Sequence, residues 1–182
     1  MNRVLLLVGA FAIVGGCSAD APAPQPAAGT PKSISDTEGG AVAALDRMDA
    51  RTPVPLLPMM ANHQKENMRD HLFAVQEIIA ALATDDFAAI ERTAGRIGFS
   101  ESMGKTCTHM GAGAPGFTEQ AIGFHRAADR IAAAAREGDR TGVLTELNTT
   151  LKSCVSCHAA WKQQVVDEPT WERLTSSGSP PH

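Results

Sequence analysis

The chain has 182 residues, with 16 Lys and Arg against 20 Asp and Glu. That length allows one domain with a proper core and little more, and the slightly acidic balance argues against a nucleic-acid binder, which would show a basic face. Aromatics make up 4% and Tyr is absent, while Ala is abundant; such a composition favours helices over sheets, because strands want β-branched and aromatic residues.

The first residues read as a targeting segment. Arg3 gives a positive start, and Val4 to Val14 is an apolar run too short to span a bilayer. It ends in Val14-Gly15-Gly16-Cys17. Small residues before a Cys at this depth resemble a bacterial lipobox, which implies a signal peptide over 1–16, cleavage before Cys17 and lipidation of Cys17. Ordinary secretory cleavage, for example after Ala19, is the other reading. Both place the chain on the periplasmic side of a bacterial membrane, and the first ties it to that membrane through lipid alone. Residues 17–54 read as a tether, because Ala21-Pro22-Ala23-Pro24-Gln25-Pro26 favours an extended, solvated chain. A short helix could form between Asp36 and Arg51, with Ala41, Val42 and Leu45 on one side, and is not expected to pack.

From Pro58 the pattern becomes helical, and a domain is expected over 55–168. Met68, Leu72, Val75, Ile79 and Leu82 step by 4, 3, 4 and 3, which predicts a helix over 58–83 with this stripe facing the core. Thr84-Asp85-Asp86 offers a turn and an N-cap, and a second helix is expected over 86–98, carrying Phe87, Ile90, Ala94 and Ile97. Residues 99–116 are Gly-rich and read as irregular. Phe117, Ala121, Phe124, Ala128, Ile131 and Ala135 predict a third helix that stops near Gly138. Asp139 can cap a fourth, over 140–166, with Leu144, Leu147, Leu151, Cys154, His158 and Trp161 on one stripe. Pro169 is expected to end it, leaving 169–182 as a flexible tail. Four amphipathic helices with mostly short connections predict an all-α, up-down-up-down four-helix bundle.

Cys154-Val155-Ser156-Cys157-His158 is C-x-x-C-H, the haem c attachment pattern. On one helical turn, two thiols can add to two vinyl groups along one haem edge, and the adjacent His can ligate iron as a proximal ligand. A redox dithiol usually opens a helix, where a thiol pKa is lowered, whereas this pair lies deep in the fourth helix. Half a zinc site lacks a second Cys or His pair at finger-like spacing; Cys107 and His109 are the nearest donors. With Cys17 lipidated and two thiols on haem, Cys107 is left alone and is expected to be buried and inert.

The C-terminal Cys154-x-x-Cys157-His158, followed by Trp161-Lys162 and set in an all-helical pattern of roughly 110 residues, a typical domain length, resembles the cytochrome c′ family. Trp stands where Tyr or Phe is more usual there, and Lys where Arg is common. The resemblance implies one haem c lodged between the fourth helix and the first. It also implies either a Met on the second axial position or an open, five-coordinate iron. Dimers through the first helix are common in the family, so the resemblance admits a homodimer.

Met68 is the distal candidate, as a donor on the 58–83 stripe at the level matching His158. His71 sits at the edge of that stripe, and His63 and Met60 lie nearer its start. Met103, His109 and Met110 in the 99–116 segment are further candidates, while His125 falls on a polar flank and is expected in solvent. The expected function is one-electron transfer with periplasmic redox proteins as partners, and no enzymatic activity; an open iron would instead bind small gases such as nitric oxide.

Overall fold

The computed structural model describes residues 35–176. The expected signal peptide, Cys17 and the Pro/Ala-rich run all lie outside the described residues. Helix α1 (Ser35–Met48) falls almost wholly in a unit of its own, ending at Arg47, and leaves Val42 and Leu45 exposed. The second unit begins at Met48. It contains β1 (Thr52–Leu56), α2 (Pro58–Ala83), α3 (Phe87–Arg96), α4 (Glu101–Met110), α5 (Phe117–Arg136), α6 (Arg140–Ala160), β2 (Trp161–Val165) and α7 (Glu168–Ser176). The described chain is thus mostly helical, in keeping with an all-α class, with one small sheet. Among the described residues no helix is long and apolar enough to cross a membrane.

Local chemistry sets the helix starts. Pro58 opens α2, where a missing N–H costs nothing. The Asp86 carboxylate accepts the Ala89 N–H at the start of α3, and Asp139 accepts from Gly142 at the start of α6. Between α5 and α6 the chain reverses through Gly138 at φ 66°, a left-handed conformation that suits glycine.

Three clusters hold the unit together. Val75, Ile78 and Leu82 of α2 meet Ile90 and Ala94 of α3, Ile131, Ala132 and Ala135 of α5, and Val143 and Leu147 of α6. A second cluster joins Val54 and Leu56 of β1 to Ala61, Met110, Ala114 and Phe117. The third joins Ala74, Ile97, Phe124 and Ala128. Neighbouring helices in this set run antiparallel: the C-terminal half of α2 meets the N-terminal half of α6, while Gln163, just beyond α6, donates to Ala61 O and Gln64 Oε1 near the start of α2.

Four expectations are corrected. The fourth helix ends at Ala160, not 166: Trp161–Val165 pair in parallel with Thr52–Leu56, in register Thr52↔Trp161 to Leu56↔Val165. Lys162, Gln163 and Gln164 are good helix formers, so this is tertiary pairing overriding local preference. The 99–116 segment holds α4, started by Ser100, whose hydroxyl accepts from Met103 N–H. The end of the chain is not all tail, because α7 forms with Pro169 in its first turn; residues 177–182 lie outside the described residues. Finally, the 58–83 stripe is only partly core. Val75 and Leu82 are buried, but Met68, Leu72 and Ile79 are exposed, and Ala74 and Ile78 take their place inside. The apolar band of α2 is wider than its buried face.

Adjacent residues of identical chemistry test that phase. Ile78 is 0% and Ile79 51% exposed. Ile78→Ala is expected to lower unfolding stability by about 2–5 kcal/mol and Ile79→Ala by at most about 1 kcal/mol, measured by urea denaturation; equal losses would place the buried face elsewhere.

Candidate functional site

The C-x-x-C-H motif occupies the last turns of α6. Cys154 and Cys157 are half-buried free thiols, and His158 is exposed. Cys154 packs against the Ala74–Ile97–Phe124–Ala128 cluster, and Cys157 against the Val54–Leu56–Phe117 cluster. Both thiols therefore point inward from one turn while His158 stays at the edge. Burial pushes both thiol pKa values up, and the carbonyl end of a helix offers a thiolate no help. That is the opposite of the lowered thiol of a redox dithiol at a helix start.

Two braces fix this turn. On one side, Trp161 Nε1–H donates to Gln120 Oε1 at 2.7 Å, and the same Gln120 donates through Nε2 to Ser156 Oγ at 2.8 Å. The Trp161 ring also meets Phe117 edge-on at 5.8 Å. On the other side, Arg51 Nη1 donates to His158 O at 3.2 Å and Trp161 O at 3.3 Å.

Beside the motif lies a seam. α2 packs along α3, α3 along α5 and α5 along α6, whereas α2 and α6 make no comparable backbone approach. At about 100° per residue, Met68, Leu72 and Ile79 lie on the side of Val75 away from Ala74 and Ile78. Leu144, Leu151, Val155 and His158 lie on the corresponding side of α6, away from Thr150 and Cys157. On the opposite sides, Ala74 of α2 meets Ile97 just after α3 and Ser156 of α6 bonds Gln120 of α5, so both exposed bands turn away from those neighbours, toward the α2–α6 side. All six of these apolar side chains are exposed, and a groove of about 270 Å³ lined by Leu72, Val75, Gln76, Ile79 and Ala80 runs along the α2 side. Large exposed apolar patches are common at ligand and partner sites.

The distal candidates separate. Gln163 meets α2 at Ala61 and Gln64, and Cys154 packs on the cluster containing Ala74. His158 lies between Cys154 and Gln163 in the chain, so the α2 residues alongside it fall between 64 and 74. Met68 (41% exposed) and His71 are in that interval. Met68 stands on the seam band. His71 turns inward, stacking on Phe124 at 4.5 Å between ring centroids, with His125 edge-on at 5.2 Å. Met60 packs on the β1 cluster, and His63 is exposed beside Asn67. Met110 is buried in the β1 cluster, Met103 is half-buried, and His109 lies 5.3 Å from the Trp171 ring; none of the three is on the seam bands. His125 is not in solvent: it is 3% exposed, with Nδ1 2.8 Å from Ile97 O. The carbonyl after α3 gives a buried imidazole a partner that helical periodicity does not disclose. Cys107 is buried, as expected, and burial raises its thiol pKa.

These residues fit a haem. Two inward thiols on one turn, an adjacent imidazole at the edge and an uncovered apolar seam are the donor set and surroundings that such a group takes. Among the described residues no three His, Cys, Asp or Glu side chains gather, so a zinc site has no third protein ligand beside the two thiols. No protein-family model matches the chain, and no curated protein or solved structure matches it either.

Burial, reinforced by the nearby His125, holds the His71 imidazole down at about 4 against an ordinary 6.5. In the unfolded chain it takes up a proton below about 6.5, while in the fold it resists until about 4. The unfolded state binds more protons in that window, so stability falls as pH drops through it. His71→Phe is expected to flatten the fall in urea midpoint between pH 7 and pH 5, and not to abolish it, because burial also lowers His125. An unchanged slope would mean that His71 is not held neutral.

Proposed function

We propose that this chain is a c-type cytochrome of the bacterial cell envelope, a one-electron carrier with a single haem c. The observation that carries this reading is the end of α6, where two inward thiols and an edge-facing imidazole share one turn beside an apolar seam. Helices α2, α3, α5 and α6 then act as an up-down-up-down four-helix bundle, with the group in its α2–α6 seam. Cys154 and Cys157 would hold the haem covalently through thioether bonds, and His158 would serve as its proximal iron ligand. The bound haem supplies a reversible one-electron iron couple. The chain supplies what tunes it: Leu72, Leu151 and Val155, exposed here, would shield a bound group from water, and Met68 would offer a thioether from the facing band. Met/His ligation raises a haem potential, which suits a carrier. Partners are periplasmic redox proteins met through weak contacts. The Val14-Gly15-Gly16-Cys17 run supports a lipid anchor at Cys17.

A second reading is favoured by the inward turn of His71. If Met68 stays off the iron, the seam presents only apolar groups there, and the protein becomes a five-coordinate binder of small gases such as nitric oxide.

The tests separate attachment, ligation and anchoring. Replacing Cys154 and Cys157 by Ala together is expected to abolish haem staining on a denaturing gel; full staining would sink the attachment site. Met68→Ala is expected to keep the haem and convert a low-spin spectrum to a high-spin, carbon monoxide-reactive one, whereas His71→Ala is not. A wild type that already binds carbon monoxide readily would favour the gas binder. Cys17→Ser is expected to move the protein from the membrane fraction to the soluble periplasm or leave it unprocessed, and unchanged partitioning would remove the anchor.

A further inference from the structure

We infer that Arg51, from the segment just before β1, is the positioning residue for the His158 turn. The inference rests on the haem reading for its purpose, and on the following geometry for its substance. A helix leaves its last four carbonyls without intrahelical partners, and a cation at that end is favoured. α6 ends at Ala160. Arg51 reaches its end from 107 residues earlier in the chain, and one of the two carbonyls it holds belongs to the proposed iron ligand itself. Fixing that carbonyl fixes the peptide plane after His158, and with it the direction in which the side chain leaves the helix.

The guanidinium is held in turn. Arg51 Nε donates to Asp49 Oδ1 at 2.9 Å and Nη2 to Asp49 Oδ2 at 2.7 Å, a two-point fork that sets its orientation. The Arg51 backbone N–H also reaches Asp49 Oδ1 at 3.1 Å, and these bonds hold the Asp49 carboxylate down to about 2. Lys162 Nζ donates to Asp49 O at 3.0 Å, so the residue after the second carbonyl closes the ring from the other strand. Arg51 therefore acts through two main-chain carbonyls, with its charge largely matched by Asp49. A lysine, with a single ammonium, cannot hold Asp49 and the two carbonyls in the same fork.

The test uses the full chain, exported and purified as produced. Four proteins are compared: wild type, Arg51→Ala, Arg51→Lys, and Arg96→Ala, which removes an exposed ion pair to Glu77 far along the chain. Arg51→Ala is expected to keep its haem stain, since the thiols are untouched. Its iron spectrum is expected to become heterogeneous, and to lose proximal ligation at higher pH than wild type in an acid titration. Amide hydrogen exchange over residues 158–162 is expected to speed up by about tenfold or more, as a locally released helix end does. Arg51→Lys is expected to recover these only in part, and Arg96→Ala to leave them unchanged. A wild-type spectrum and wild-type exchange in Arg51→Ala, or equal effects in Arg96→Ala, would overturn the inference. A wild-type protein without haem stain would overturn the haem reading instead, while the exchange arm still decides whether Arg51 holds the turn.

Discussion

Close approach along α5 constrains everything else in the 48–176 unit. Ala127, Ala128, Ala132 and Ala135 are buried along that helix, and their small side chains let both α3 and α6 come near. Once α5 is drawn to both, and α2 is fastened to α3 through Ile78, Leu82, Ile90 and Ala94, the fourth side of the arrangement must accommodate whatever width remains. Val143 and Leu147 join α6 to the common core at its N-terminal half, while Gln163 bonds to Ala61 and Gln64 of α2 just beyond its C-terminal end. The open seam is thus a consequence of packing elsewhere, and its apolar lining comes from bands that periodicity placed on the helices without giving them a protein partner.

The environment of the two thiols follows from the same arrangement. They sit at the carbonyl end of α6, turned into apolar clusters, and both effects favour the protonated form. A pair so placed is poorly suited to repeated disulfide exchange.

Much of this was legible in the sequence, and the failures have physical causes. The starts of α2, α3 and α6 could be read because Pro58, the Thr84-Asp85-Asp86 run and Asp139 act within a turn of themselves. The helical setting of Cys154, Cys157 and His158 could be read because they continue the step of 3 and 4 from Leu147 and Leu151. The end of α6 could not, since Lys162, Gln163 and Gln164 leave the helix only because Thr52–Leu56 offers a ladder from far along the chain. The facing of Met68 and Leu72 was misjudged because an apolar step of 3 and 4 reports a band, and cannot say which edge of it meets another helix. His125 was misplaced for a related reason: the Ile97 carbonyl that receives it belongs to a different element. Arg51 carried no signal at all, being one basic residue in a Pro-rich approach.

The parallel pairing of β1 with β2 has a consequence for the order of assembly. Its register joins Thr52 to Trp161, while Arg51 and Trp161 are 110 positions apart. Closing so long a loop costs entropy before any ladder bond repays it, and such non-local pairing is slow compared with local helix contacts. The antiparallel pairs α2–α3 and α5–α6 are joined by short turns and can form first. The strand that clasps the end of α6 is therefore among the last parts to settle. For an interval during folding, the thiols and imidazole at that end then project from a core already formed but not yet latched, and they are more open to solvent than in the finished fold.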